Sequence, residues 1–371
     1  MNPYKNLIFF LPHFIKGGAS FAILNLCSFL HKKKFNIHVI CIGKCSLKKD
    51  LKKIKVKVYE IKKKRTFLAV SQIRLITKKI LCLNKSKTIF ISNHHYANVI
   101  SIIALLGLNI KKILVERTSI DQLKIFYSIK DFFKKIIILF LVKRFYKKSD
   151  LIIANSKNEA NNIRNFTKSK TIHIYPASYK NIKFKPIKKI KGKINILSVG
   201  SLTKEKGYDT IIKAIGVLRN KNIVLNLLGQ GFDKTQNIKS DLKLLILKLN
   251  LSNQIKLNGY KKNTKPFYLN SSIYVNSSHL EGFSSSTIDA MNYGIPVICS
   301  DGSGGNKEIV NNGKAGFLFK KRDYIDLASK IRLVIKEKNK TLIKKRNAET
   351  HIKKFSYLNN FLNYEKVFNE I

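Results

Sequence analysis

Short apolar runs with the look of buried strands alternate with helix-spaced stretches along this chain, and the alternation occurs twice. The first set of runs falls at 6–11, 36–42, 88–92, 112–116, 151–154 and 171–175, with one alternating strand at 56–61. The second falls at 194–199, 223–228, 255–257, 273–276 and 295–299, and the chain beyond 323 reads as helix. Runs that are apolar at every position belong to strands covered on both faces, which occurs in parallel sheets flanked by helices. The expected fold is therefore α/β, with two Rossmann-like doubly wound domains. A lysine-rich stretch without periodicity at 179–193 separates them. The domains expected are 1–178, 194–345 and a helical tail at 346–371 that packs back on the first domain. Ligands of open α/β sheets bind beyond the carboxyl ends of the strands, so the expected site is a cleft that both domains face.

The stretch 277–300 carries the chemistry. A strand-like run ends at Asn276, a polar loop brings Glu281, and Gly282 allows a tight turn. Ser284, Ser285 and Ser286 offer N-cap chemistry to a helix that Gly294 ends, and Asp289 lies one to two turns into it. A helix N-terminus presents unpaired N–H groups and a positive dipole end, which together bind anions. An anion site flanked by two acids matches hexose, diphosphate and ribose in turn.

Charge bears on partners. Lys and Arg number 72 against 21 Asp and Glu, a net charge of +51. An AT-rich genome, in which Lys, Ile and Asn codons accumulate, accounts for such an excess. Contact with an anionic partner, nucleic acid or a membrane surface, accounts for it too. A nucleic-acid binder would carry Arg-rich clusters, RNP-type aromatics or a helix-turn-helix; the sequence has none, and its charge is spread along the chain. Within 123–148, Phe126, Tyr127, Phe132, Phe133, Ile136, Ile137, Phe140, Phe145 and Tyr146 mix with seven lysines and one arginine. That mixture suits an interfacial amphipathic helix on an anionic membrane, and equally a helix covering the first sheet. The apolar runs are shorter than a membrane span, and the N-terminus lacks a signal-peptide pattern. Five cysteines without a metal-type spacing suit reduced core thiols. The expected location is cytoplasmic, at the cytoplasmic face of the inner membrane if the chain binds lipid.

Several motifs now carry a resemblance. The segment from Val199-Gly200-Ser201 through Lys206-Gly207-Tyr208-Asp209 resembles the donor-binding signature of the family 4 retaining glycosyltransferases, whose fold is GT-B. Leu227-Leu228-Gly229-Gln230-Gly231 resembles their next glycine turn, and Glu281-Gly282-Phe283 through Asp289-Ala290-Met291 their E-x7-E motif. Gly17-Gly18-Ala19 resembles their N-terminal glycine loop. Val115-Glu116-Arg117, Ile153-Ala154-Asn155-Ser156 and Ile174-Tyr175-Pro176 match further landmarks.

The resemblance implies a hexosyltransferase of bacterial surface polysaccharide assembly, using a UDP- or GDP-linked nucleotide-sugar. It implies catalytic roles for Glu281 and Lys206, with Lys206 neutralising the leaving phosphate. It implies donor contacts at Gly17, Gly18, Ser201, Gly229, Gly231, Gly282, Phe283, Ser285, Ser286 and Asp289. Ser201 stands where the family usually has an Arg, which Lys204 is placed to replace, and Asp289 stands for a Glu. His94, His95, Glu116 and Arg117, at strand ends, are acceptor-side candidates. The acceptor is a glycan or lipid-linked. No Asp-x-Asp pair occurs, so no metal is expected on the diphosphate. The alternatives are a basic nucleic-acid-binding protein and a transferase-like fold without activity.

Overall fold

A computed structural model describes residues 5–15, 17–33, 35–83, 87–126, 128–184, 192–231, 238–302 and 304–371. Tyr127 and residues 185–191 of the expected linker lie outside the described residues. The chain divides into two compact units, 1–177 with 358–371, and 178–357.

The first unit holds seven parallel strands: β1 (Lys5–Phe10), β2 (Phe35–Ile42), β3 (Lys57–Ile61), β4 (Thr88–Asn93), β5 (Lys111–Glu116), β6 (Leu151–Ala154) and β7 (Thr171–His173). Their order is β3-β2-β1-β4-β5-β6-β7, so the winding reverses between β1 and β4. Phe10 lies beside Ile40 on one flank and beside Ser92 on the other. Every residue of β4 is buried, the polar Thr88, Ser92 and Asn93 included, as a strand covered on both faces requires. The final helix, Tyr357–Glu370, belongs largely to this unit. Lys5 Nζ donates to the Phe368 carbonyl at 2.8 Å, and the Phe368 ring packs edge-on against Phe9 at 6.2 Å. Asn360 Nδ2 also donates to the Tyr175 carbonyl at 2.6 Å.

The second unit holds six parallel strands: β8 (Ile194–Val199), β9 (Ile223–Leu228), β10 (Ile255–Leu257), β11 (Ile273–Asn276), β12 (Val297–Ser300) and β13 (Phe317–Phe319). Their order is β10-β9-β8-β11-β12-β13, with the reversal between β8 and β11. The segments that enter and leave this unit run together. Ser178 N donates to Phe355 O at 3.0 Å, and Tyr357 N to Tyr179 O at 3.0 Å. Ile211, Ile215, Leu225, Val275 and Ile331 lie in one buried cluster under its helices.

Two local expectations differ in detail. The Ser156–Glu159 pair reads as a capping box, and Ser156 Oγ does accept from Glu159 N at 3.1 Å. The Glu159 carboxylate does not return to the Ser156 amide; it accepts from Ile120 N at 2.6 Å. Ser284 is the N-cap of the Ser285–Asn292 helix but caps no N–H with its side chain. Its hydroxyl accepts from Thr287 Oγ1 at 2.9 Å instead.

Gly229 shows how tightly β8 and β9 end together. Its φ is +148°, and a Cβ there would lie 1.7 Å from the Gly200 carbonyl oxygen. Gly229→Ala is therefore expected to lower stability by at least about 2 kcal/mol. Gly18 has nothing within 4 Å of a built Cβ, so Gly18→Ala should leave stability unchanged. Urea midpoints of the two variants check this; equal midpoints would contradict it.

Candidate functional site

The reversal of winding in the second unit leaves the loops after β8 and β11 side by side, which is where ligands of such sheets bind. The first loop closes in a 3-10 turn, Lys204–Lys206, ended by Gly207 at φ +62°. A Cβ on Gly207 would lie 2.5 Å from both the Ser277 carbonyl oxygen and the His279 ring. Only glycine lets the two loops touch there. Two hydrogen bonds stitch them: Ser277 Oγ to Lys206 O at 2.7 Å, and His279 N to Glu205 O at 2.7 Å.

This seam brings Lys206 against Glu281. Lys206 Nζ pairs with Glu281 Oε2, and Ser278 Oγ donates to the same oxygen at 3.2 Å. The side chains are 23% and 16% exposed, so the pair is shielded yet still reachable by a ligand. The Lys206 stem lies along Gly200, its Cε 3.4 Å from where a Cβ would be. Ser201, Gly229 and Gly231 follow on the same strand ends, and a Cβ on Gly231 would be 3.4 Å from Leu202 O. Lys204 takes another direction. It lines a groove of about 480 Å³ with Asp209, Lys213, His279 and Arg322, a groove that none of Lys206, Glu281 and Asp289 lines.

A layer of polar groups behind the loop holds its shape, and the sequence reading missed it. Asn276 Nδ2 donates to Thr287 Oγ1 at 2.9 Å, and Asn276 Oδ1 accepts from Ser278 N at 3.0 Å. A Cβ on Gly305 would lie 2.1 Å from Gly282 O, so the Gly304–Ile309 helix presses directly on the turn. An asparagine ending an apolar strand and a glycine pair opening a helix were the available signals. Phe283 is buried, with its ring edge-on to Phe355 at 5.3 Å, and supports the loop from within. Ser286 Oγ is held by Tyr274 OH at 2.8 Å and donates to Val199 O at 3.0 Å. Ser285 is exposed at the start of the helix, where backbone N–H groups lack intrahelical acceptors.

Asp289 lies on the helix within electrostatic reach of Tyr268 and Lys183. Burial pushes its carboxyl up to about 6, and the Lys183 cation opposes that only in part. Tyr268 stacks on Tyr293 at 5.4 Å and 14°, and Lys183 lies 5.2 Å over the Tyr293 ring.

In the first unit the winding reverses between β1 and β4, so the loops after Phe10 and Asn93 are neighbours. Gly17 is extended, at φ −170°, and N-caps the Gly18–Leu30 helix. Both glycines are exposed, and no packing in the unit demands glycine at either place. The acceptor-side candidates divide. Glu116 is fully buried; it accepts from Tyr146 OH, from Asn98 Nδ2 at 2.8 Å, and pairs with His95 Nδ1 at 2.6 Å. His95 Nε2 meets Thr118 Oγ1 at 3.0 Å. Burial pulls the His95 imidazole down, but the Glu116 carboxylate outweighs it and the net shift is upward. Glu116 and His95 thus form an internal brace, contrary to the expectation that Glu116 orients an acceptor hydroxyl. His94 and Arg117 remain partly exposed, and Arg117 Nε donates to Asn93 Oδ1 at 2.9 Å. His94 sits at φ +76°, an uncommon conformation for a residue with a side chain. Burial and then Arg117 push its imidazole down to about 4, which keeps it neutral.

Comparison with known proteins gives a consistent picture. Residues 180–351 match the model of the glycosyl transferases group 1, and residues 16–177 that of Glycosyltransferase Family 4. An uncharacterized glycosyltransferase of Methanocaldococcus jannaschii is 31% identical over 71% of this chain and 68% of its own. The N-acetylgalactosamine-N,N'-diacetylbacillosaminyl-diphospho-undecaprenol 4-alpha-N-acetylgalactosaminyltransferase of Campylobacter jejuni is 26% identical over 91% of this chain and 92% of its own. Among solved structures, Anabaena HepE in complex with UDP superposes with a TM-score of 0.78 at 19% identity, over 99% of this chain and 100% of that one.

Proposed function

The chain belongs to the group 1, family 4 glycosyltransferases with the GT-B fold, and from that premise we propose a retaining, metal-independent transfer. A hexose-type sugar would pass from a UDP- or GDP-linked donor to a glycan or lipid-linked acceptor in bacterial surface polysaccharide assembly. The observation that carries this reading is the Lys206–Glu281 pair at the reversal point of the second sheet.

The chemistry follows from that pair. The bond from the sugar C1 to the diphosphate breaks, and negative charge grows on the departing phosphate. Lys206 exchanges its Glu281 partner for that phosphate, a compact cation where charge develops. Glu281, released, accepts hydrogen bonds from hexose hydroxyls. Amides at Ser285 and Ser286 take phosphate oxygens, and Asp289 accepts from the ribose. The acceptor oxygen bonds to C1 on the face the phosphate leaves, and its proton passes to that phosphate. Within the first unit, Gly17 and Gly18 stay proposed as donor-binding and His94 and Arg117 as acceptor-side residues. An undecaprenol-linked substrate in the name of the Campylobacter jejuni relative supports a lipid-linked acceptor. Residues 123–148 supply peripheral contact with an anionic membrane at the cytoplasmic face of the inner membrane. Among the described residues no helix is long and apolar enough to cross a membrane.

The test is transfer from UDP- and GDP-sugars, with and without a chelator, and NMR of the product linkage. Retention of the donor anomeric configuration and unchanged rate in chelator are expected; inversion would overturn the retaining reading.

Asp289 gives a pH dependence. Its carboxyl keeps a proton to about 6 when folded, against 3.8 for the ordinary group. The folded chain then binds more protons than the unfolded one between those values, so this group's contribution to stability falls as pH rises through that window. It is a full acceptor only above about 6. The donor KM is expected to rise as pH falls through that value, and Asp289→Asn should remove the step. An identical pH profile for the variant would exclude Asp289 from the donor site.

A further inference from the structure

We infer that the outward face of the Ile129–Phe145 helix is an anchor that lies in the plane of an anionic lipid bilayer. The inference rests on the peripheral contact proposed above and deepens it by assigning the surface and its orientation.

A helix that covers an α/β sheet needs one apolar face; this one has two. Ile138 and Val142 are buried and belong to one cluster with Val99, Ile102, Leu114 and Ile163. At 3.6 residues per turn, Ile129, Phe133, Ile136, Ile137 and Phe140 gather on the opposite side. They are exposed, Ile129 by 79%, Phe140 by 67%, Phe133 by 59% and Ile137 by 58%. Phe132 extends the stripe along one edge and packs edge-on against both Phe126 and Phe133. The packing of the first unit gives this second stripe nothing to do.

Charge identifies the occupant. Lys130 and Lys134 flank the stripe, and Lys143, Arg144, Lys147 and Lys148 surround its C-terminal end, all exposed. Asp131 is the one acid on the helix, and it pairs with Lys135 at 2.8 Å. An apolar stripe rimmed only by cations is the pattern of helices seated at the headgroup boundary of anionic membranes. A second copy of this chain is disfavoured by repulsion between two bodies of net charge +51. The helix has 17 residues, about 25 Å long, which is short of a bilayer's hydrocarbon core, so it lies flat.

The chain has no tryptophan, so Phe133→Trp places a single reporter in the stripe. With vesicles of phosphatidylglycerol and phosphatidylethanolamine its emission is expected to shift to the blue, and with phosphatidylcholine alone to stay put. The triple variant Phe133→Ser, Ile137→Ser, Phe140→Ser is expected to sediment with anionic vesicles about tenfold more weakly. Its melting temperature and its nucleotide-induced thermal shift should match those of the unaltered chain, since the three side chains are exposed and lie outside the buried cluster. Vesicle binding by the Phe133→Trp chain without a shift in its emission, or equal sedimentation of the triple variant, would overturn the assignment. So would a lipid-free oligomer that the triple variant dissolves, which would make the face a self-association surface. Loss of the nucleotide response with vesicle binding intact would instead count against the donor reading alone.

Discussion

Replacing Lys206 by Ala is expected to lower kcat by about 10²–10³-fold, the cost of removing one group that meets charge developing in a transition state. The fold should survive. The pair it forms with Glu281 is partly exposed, and such pairs are worth about 1 kcal/mol or less. Glu281 would keep its hydrogen bond from Ser278. Glu281→Ala should be about as damaging, and the double variant little worse than either single one, because residues that act as a unit are not additive. Lys206→Arg is not expected to rescue, since the fork of a guanidinium does not fit where a point charge lies along Gly200. Lys204→Ala, in the neighbouring groove, is the control and should change kcat little. Steady-state kinetics with thermal melts of each variant check the set. Full turnover by Lys206→Ala, or a drop in kcat matched by unfolding, would remove Lys206 from the chemistry.

The largest stability loss is expected at Glu116. Its buried carboxylate gathers the Tyr146 hydroxyl, the Asn98 amide and the His95 imidazole at the end of β5. Glu116→Ala leaves all three without that partner in a dry interior, at about 3–5 kcal/mol. Glu116→Gln keeps an oxygen for Tyr146 and costs less, but it removes the charge opposite His95. Burial is then opposed only by the Glu159 carboxylate and the Ser119 backbone, so the His95 pKa should fall relative to the wild type, which NMR titration of the ring reads directly. The linkage has a definite sign. His95 is raised when folded, so its stabilising contribution is complete below the unfolded pKa and is lost as pH rises through the folded one. A Glu116→Ala chain that melts like the wild type would contradict the brace.

How much of this was legible beforehand follows from the range of each signal. Strand and helix alternation is local and periodic, so both sheets could be read from runs such as 6–11 and 194–199. The meeting of Lys206 and Glu281, separated by 75 residues, has no local signal. It became readable only through motif resemblance, and the strand order supplies the physical reason for it. Capping was half legible. Ser156 caps as its spacing indicates, while Glu159 and Ser284 took tertiary partners that short-range rules do not see. Glu116 looked like a site acid at a strand end, because a sequence does not show that Tyr146 and Asn98 converge on it from other elements. The 123–148 stretch fitted two readings. Exposure separated its inner face from its outer one and showed that the helix is apolar on both.

The second unit is proposed to bind a nucleotide-sugar diphosphate at Lys206 and Glu281. Calorimetric titration of the full chain with UDP, GDP and their sugar conjugates tests it most directly. The account predicts saturable binding of one nucleotide series, weakened by Lys206→Ala in a chain that melts normally. A well-folded wild-type chain that binds no nucleoside diphosphate, or that binds one equally well without Lys206, would contradict it.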